Sequence, residues 1–268
     1  ILKKLSKKKH FQKSFKRLLL IKYDNSDYIS SELSRNVEAR IIWGGDNTIN
    51  KFKTFRTKPR CIDLSFANRY SISLIDSKKL GKLSSKDLTI LTKKFYNDTY
   101  TMDQFGCSSP NSVFWLGKNN FAKKKFWLEL KKIVDKEYHL DLSGANKKIS
   151  NLMNYTLGKN KWIKANIKNF NLITLKSKKL NFDNFENINF GTFLEININS
   201  LDNLKKYTSE KLQTITYYGT DFESIKKFMI KNKIKGIDRI VPIGRAFDLT
   251  PEWDGIDIIS TLSRTIGV

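Results

Sequence analysis

Apolar positions recur along the chain with two periods, about two and about 3.6 residues, and the alternation between them places the elements. Over the first 76 residues, short β-branched or aromatic runs alternate with short amphipathic stretches, as in strand-helix-strand units. Residues 17–23 (RLLLIKY) predict a strand, 27–36 (DYISSELSRN) a helix opening at Asp27, and 39–43 (ARIIW) a second strand. Gly44 and Gly45 then make a turn, and Asp46 reads as the N-cap of a helix running to about Phe55. Strands over 60–64 and 70–75 follow, and alternation this short favours a parallel sheet.

Past Asp76 the periods lengthen. Ser84 to Asp87 fits a capping box, and Leu88, Leu91 and Phe95 share one helical face, which predicts a helix over 85–101. Residues 112–116 (SVFWL) read as a strand, and 121–138 as a long helix burying Trp127, Leu130, Ile133 and Val134. Further strands are expected at 170–176, 190–197 and 213–218, with helices at 146–157 and 221–232. Residues 236–247 (GIDRIVPIGRAF) give a strand ending in a glycine turn, and the chain closes on WDGIDIISTLSRTIGV. No internal repeat or Pro/Gly-rich linker separates the two textures, so they are expected to pack closely.

Composition narrows the classes. With 268 residues and 40% hydrophobic content the chain can bury one large domain or two moderate ones. The longest aliphatic run, Leu18 to Ile21, is far shorter than a membrane-spanning helix, and no cleavage site follows the basic start, so no membrane span or signal peptide is read. The formal charge of +24 is spread over the whole chain without an arginine-rich arm, which reads as compositional bias and not as a nucleic-acid site. With two cysteines, 46 positions apart, and two histidines, His10 and His139, neither a disulfide framework nor a metal centre is expected. The setting implied is reducing and cytoplasmic.

Two stretches could carry chemistry. In DQFGCSSPNSVFW (103–115), Cys107 lies between a helix and a strand, with Gly106 before it and Ser108, Ser109 and Pro110 after. A thiol there becomes a nucleophile if a helix N-terminus or a cation lowers its pKa, and turn N–H groups could form one arm of an oxyanion hole. On its own, a lone cysteine after glycine is more often core filling. Cys61, in PRCIDL, reads as a small core residue of a strand, and His139 as a solvated residue at a helix end. The WGGD turn, Trp43 to Asp46, is the second stretch: a glycine pair between strand and helix is how α/β folds bring phosphate groups to backbone N–H donors. Without a full GxGxxG it is equally a plain tight turn, and Asp46 would repel phosphate if aimed at the site.

Three blocks taken together, DQFGCSSPNSVFW, IIWGGDNTI and GIDRIVPIGRAFDLTPEWDGIDIISTLSR, resemble the fatty acyl-CoA reductase family of bacterial bioluminescence, a divergent branch of the aldehyde dehydrogenase superfamily. The resemblance implies an aldehyde dehydrogenase-like α/β fold: the C-terminal part of a Rossmann-type cofactor domain (1–76), an α/β catalytic domain (77–240), and a segment (241–268) returning to the cofactor domain or to an oligomer contact. It implies that Cys107 is acylated by an acyl-CoA and that hydride from NADPH reduces the thioester to aldehyde. It further implies that Trp43, Gly44 and Gly45 lie against the dinucleotide, and that the partners are an acyl-CoA or an acyl-transferase or synthetase subunit in a homo- or hetero-oligomer. The ELGG glutamate with which ordinary aldehyde dehydrogenases activate water has no counterpart in CIDLSFANRYSISLID, where Asp63 is the nearest carboxylate. That absence fits resolution by hydride instead of water. A complete member is expected to carry a long N-terminal region as well, so a shortened relative that binds acyl groups without reducing them is the alternative expectation.

Overall fold

A computed structural model describes residues 2–157, 163–177 and 188–267. Residue contacts gather into two units, Ile1–Ser65 and Phe66–Val268.

In the smaller unit the helix Asp27–Asn36 is capped by Ser26, whose hydroxyl accepts the Ile29 N–H at 3.3 Å. The strands β1 (Ala39–Trp43) and β2 (Ile62–Phe66) form a two-stranded sheet, with the helix Asp46–Thr54 between them in sequence. Arg40 ties these elements together. Its buried guanidinium makes a two-pronged pair with Asp63 and donates to Ser34 Oγ (3.0 Å) and to the Phe52 carbonyl (2.9 Å). A buried charge is tolerated only when paired and hydrogen bonded in this way. The hydrogen bond to Asp63 raises the Arg40 pKa further.

Two expectations are corrected here. Residues 17–23 form no strand: the run is irregular, with Leu19 and Leu20 78% and 70% exposed, because no strand pairs with it among the described residues. The helix cap is Gly45, not Asp46, which sits in the first turn instead.

The larger unit is built on a seven-stranded sheet ordered β5-β6-β7-β4-β3-β8-β9. Its strands are β3 (Tyr70–Asp76), β4 (Pro110–Leu116), β5 (Ile163–Asn169), β6 (Leu172–Ser177), β7 (Thr192–Ile198), β8 (Leu212–Tyr218) and β9 (Arg239–Pro242). Every pairing is parallel except β5 with β6. The central strands are buried on both faces, and Ser71, Ser73, Asn111 and Ser112 lie buried among their apolar residues. Residues Ile72, Leu74 and Phe114 enter a core with Ile225 and Phe228 of the helix Phe222–Asn232. On the other face Ile75, Val113 and Trp115 pack with Phe95 of the helix Ser85–Tyr100 and with Phe126, Trp127 and Leu130 of Asn120–Glu137. Each such side chain contributes roughly 1.5–3 kcal/mol by leaving water.

Ser84 caps the helix as expected, its Oγ accepting the Asp87 N–H at 3.1 Å, but the Asp87 carboxylate accepts from that hydroxyl at 2.6 Å and not from the Ser84 backbone, so only half of the capping box forms. The helix expected at 146–157 begins earlier, at Leu142, where Asp141 accepts the Gly144 N–H at 2.7 Å. The strand Tyr70–Asp76, read in sequence with the first 76 residues, lies in the middle of this larger sheet, between β4 and β8.

Candidate active site

Residues 101–109 connect the C-terminal end of the 85–100 helix to the start of β4, and Cys107 lies in this connection. The loop is held by Gln104, which is fully buried in the left-handed region at φ 62°. Its side-chain Oε1 accepts the N–H groups of Gly191 (2.7 Å) and Thr192 (3.2 Å), and Nε2 donates to the carbonyls of Pro110 (3.2 Å) and Thr192 (3.3 Å). One amide thereby uses all of its donors and acceptors to fasten the loop to the two strands on its flanks. Nearer the thiol, Ser71 Oγ donates to the Cys107 carbonyl at 2.5 Å and accepts the Thr214 N–H at 3.2 Å, which fixes the backbone against β3 and β8. Ser109 Oγ donates to the Asp98 carbonyl at 2.8 Å.

The C-terminal block closes over the same loop. Asp98, 2% exposed, accepts the N–H groups of Gly244 (2.6 Å) and Ala246 (3.0 Å), and burial pushes its pKa up to about 6 against those two bonds. This latch seats Phe247 against Gly106, where a Cβ would stand 2.7 Å from the ring. A glycine precedes the cysteine because the ring approaches that closely. Beyond it, Trp253 and Ile256 pair across the two-residue turn Asp254-Gly255, in which both residues have positive φ (50° and 74°). Asp-Gly is a favoured sequence for such a turn.

The thiol is half-buried. Burial raises its pKa, the Asp254 charge raises it further, and its own backbone N–H and the Arg69 guanidinium pull it down. Of the activating influences expected from sequence, the cation is present as Arg69. The helix N-terminus is not, since the loop leaves a helix at its C-terminal end.

Trp43, Gly44 and Gly45 lie in the smaller unit, at the end of β1 and the start of the 46–54 helix. Trp43 is 57% exposed, no side chain caps the helix, and a Cβ on Gly45 would meet nothing within 4 Å. An open helix N-terminus beside an exposed indole fits the close approach of a sugar-phosphate group. Asp63 is occupied by Arg40. Cys61 precedes β2 and is half-buried, so it is not a core residue of a strand, while His10 and His139 are exposed. Among the described residues no cluster of His, Cys, Asp and Glu could hold a metal ion, and no helix is long and apolar enough to cross a membrane. Gln104, Asp98, Phe247 and Asp254 escaped the sequence reading. Of these only Asp254 carried a local signal, the hairpin pattern WDGI.

No curated protein matches the chain. Solved structures similar to it are aldehyde dehydrogenases. A lactaldehyde dehydrogenase aligns with a TM-score of 0.60 at 9% identity, over 84% of this chain and 50% of its own. An NAD-dependent aldehyde dehydrogenase from Sinorhizobium meliloti gives 0.57 at 11%, over 84% and 47%. A succinic semialdehyde dehydrogenase from Streptococcus pyogenes, solved in complex with NADP+, gives 0.56 at 15%, over 87% and 53%. The chain thus spans about half the length of the solved structures it matches, and at such identities the likeness shows the fold: α/β, of the aldehyde dehydrogenase kind. Residues 4–265 match a family described as acyl-CoA reductase (LuxC), and the chain belongs to that family.

Proposed function

We propose that this chain supplies the acyl-accepting part of a long-chain fatty acyl-CoA reductase that uses NADPH and forms an acyl thioester on Cys107. The observation that carries the reading is the seating of Cys107: a half-buried thiol on a loop fixed from three sides, under the Phe247 ring, in a member of the acyl-CoA reductase family. The Cys107 sulfur attacks the carbonyl of the acyl donor and holds the acyl group while the CoA thiol departs. The loop anchors, Ser71 and Gln104, keep the sulfur from drifting as its bonding changes. Asp63, paired with Arg40, is not available as a hydrolytic base.

Trp43, Gly44 and Gly45 would hold part of the dinucleotide. NADPH bound there would supply the hydride that reduces the thioester, and Cys107 would regain its thiol as the aldehyde leaves. In this reading residues 1–65 belong to the cofactor-binding part and 66–268 to the catalytic part. An acyl-CoA or an acyl-transferase or synthetase subunit brings the acyl group, within a cytoplasmic oligomer.

Incubation with radiolabelled long-chain acyl-CoA places label on the chain, and Cys107→Ser removes it. Labelling of the serine variant equal to that of the parent overturns the reading. Label retained without oxidation of NADPH, followed by nicotinamide absorbance, identifies an acyl carrier that does not reduce.

A further inference from the structure

The proposed reaction needs a proton to leave and later rejoin Cys107, and the glutamate that ordinary aldehyde dehydrogenases carry has no counterpart in this sequence. The N-terminal edge of the larger sheet supplies another group. Ser71 joins the Cys107 carbonyl to the Thr214 N–H, and the residue before Thr214, Gln213, donates from Nε2 to the Asp254 carboxylate. Asp254 stands on the turn of the hairpin Glu252–Trp253 with Ile256–Asp257, and its charge acts on the Cys107 thiol. We propose that Asp254 is the catalytic residue that exchanges a proton with the Cys107 thiol during acyl transfer, an inference that rests on the reading of Cys107 as the acyl acceptor.

Two features fit Asp254 to both protonation states. Burial raises its pKa, opposed by the Gln213 bond and by Arg69 and reinforced by Asp238, so a carboxylate there accepts a proton more readily than an ordinary one. Gln213 is 2% exposed, and its Oε1 has no partner among the described residues. Its amide Nε2 donates to the carboxylate. Turned over, it presents Oε1 to the hydroxyl of the protonated acid. The charged groups acting on Asp254 are Arg69 and Asp238, which pair with each other, while Arg239 lies 5.1 Å from the centre of the neighbouring Trp253 ring.

Acyl transfer uses only the proton of the thiol itself, and aldehyde release takes one proton from solvent. The Asp254 carboxylate takes the S–H proton as sulfur bonds to the acyl carbon, the bond from that carbon to the CoA sulfur breaks with its electron pair, and the departing thiolate recovers the proton from Asp254. After hydride addition the oxyanion re-forms the carbonyl, the carbon–sulfur bond breaks with its pair on Cys107, and Asp254 returns a solvent-derived proton to that sulfur.

Asp254→Asn tests this in the full chain, and Asn-Gly preserves the turn because it too is a favoured sequence there. Iodoacetamide alkylation of Cys107 across pH, read by mass on the modified peptide, follows the thiol's own titration. Acylation by p-nitrophenyl acetate, read as a nitrophenolate burst, needs no CoA recognition. In the variant the alkylation midpoint moves to lower pH, since a negative neighbour has gone, while burst acylation at neutral pH falls by about 100-fold or more. The parent's burst rate also falls on acidification as Asp254 protonates, a limb that the variant lacks. An unmoved alkylation midpoint overturns the proposal. So does a burst rate that rises with the thiolate fraction, as a purely electrostatic neighbour would give. If the ester behaves as expected but acyl-CoA leaves Cys107 unlabelled, the proton exchange stands and the proposed acyl donor falls.

Discussion

Gln104 shows how one side chain can decide the course of a loop. Its amide bonds two N–H groups and two carbonyls in the interior, so Gln104→Leu removes four bonds at similar volume, while the Thr192 N–H keeps the Asn189 carbonyl at 3.1 Å. Each buried polar group stranded in this way costs about 1–3 kcal/mol. The variant is expected to lose on the order of 3 kcal/mol in chemical denaturation and to alkylate Cys107 at a changed rate. An unaltered denaturation midpoint would show that the loop is held by something else. Cys107 itself was legible from its neighbours Gly106 and Pro110 and from the blocks that resemble the reductase family. The partners that fix it were not, because Gln104 reaches residues 87 and 88 positions away, and nothing in a glutamine's local sequence marks it as buried.

Elements follow the same division. Helices with a cap and one apolar face, such as Ser85–Tyr100 and Asn120–Glu137, are visible because both signals are local. Strands depend on partners: RLLLIKY has high β propensity yet remains irregular, since that propensity measures fit to a pleated, half-buried surface. The reverse error is β5, whose residues IKANIKN alternate with lysine and asparagine and escaped notice, although it pairs with β6 as an antiparallel edge. At this scale the contact between the cysteine loop and the C-terminal block can be tested through Gly106 and Phe247. Gly106→Ala forces the ring to shift and is expected to cost roughly 1–2 kcal/mol. Adding Phe247→Leu should recover part of that loss, giving a non-additive double-mutant cycle of at least about 0.5 kcal/mol. Strict additivity would mean that the ring and the glycine are not in contact.

The larger unit as a whole is stapled by a buried carboxylate. Asp98 has a pKa of about 6 in the fold against an ordinary 3.8, so the folded state holds its proton more tightly than the unfolded state. The resulting stabilisation is full below pH ~3.8 and is lost as pH rises through about 6, amounting to at most about 3 kcal/mol. Asp98→Asn should therefore flatten the stability profile between pH 4 and 7 when unfolding is followed by urea titration, and a slope identical to the parent's would contradict this. The protonated thiol favoured by burial and by Asp254 has a consequence for how long the protein survives. Peroxide and disulfide exchange consume thiolate, not thiol. In the proposed reaction, a cysteine that gives up its proton only on meeting its acyl donor would spend its idle time out of reach of oxidants, and the protein would wait for substrate without losing the sulfur assigned to acyl transfer.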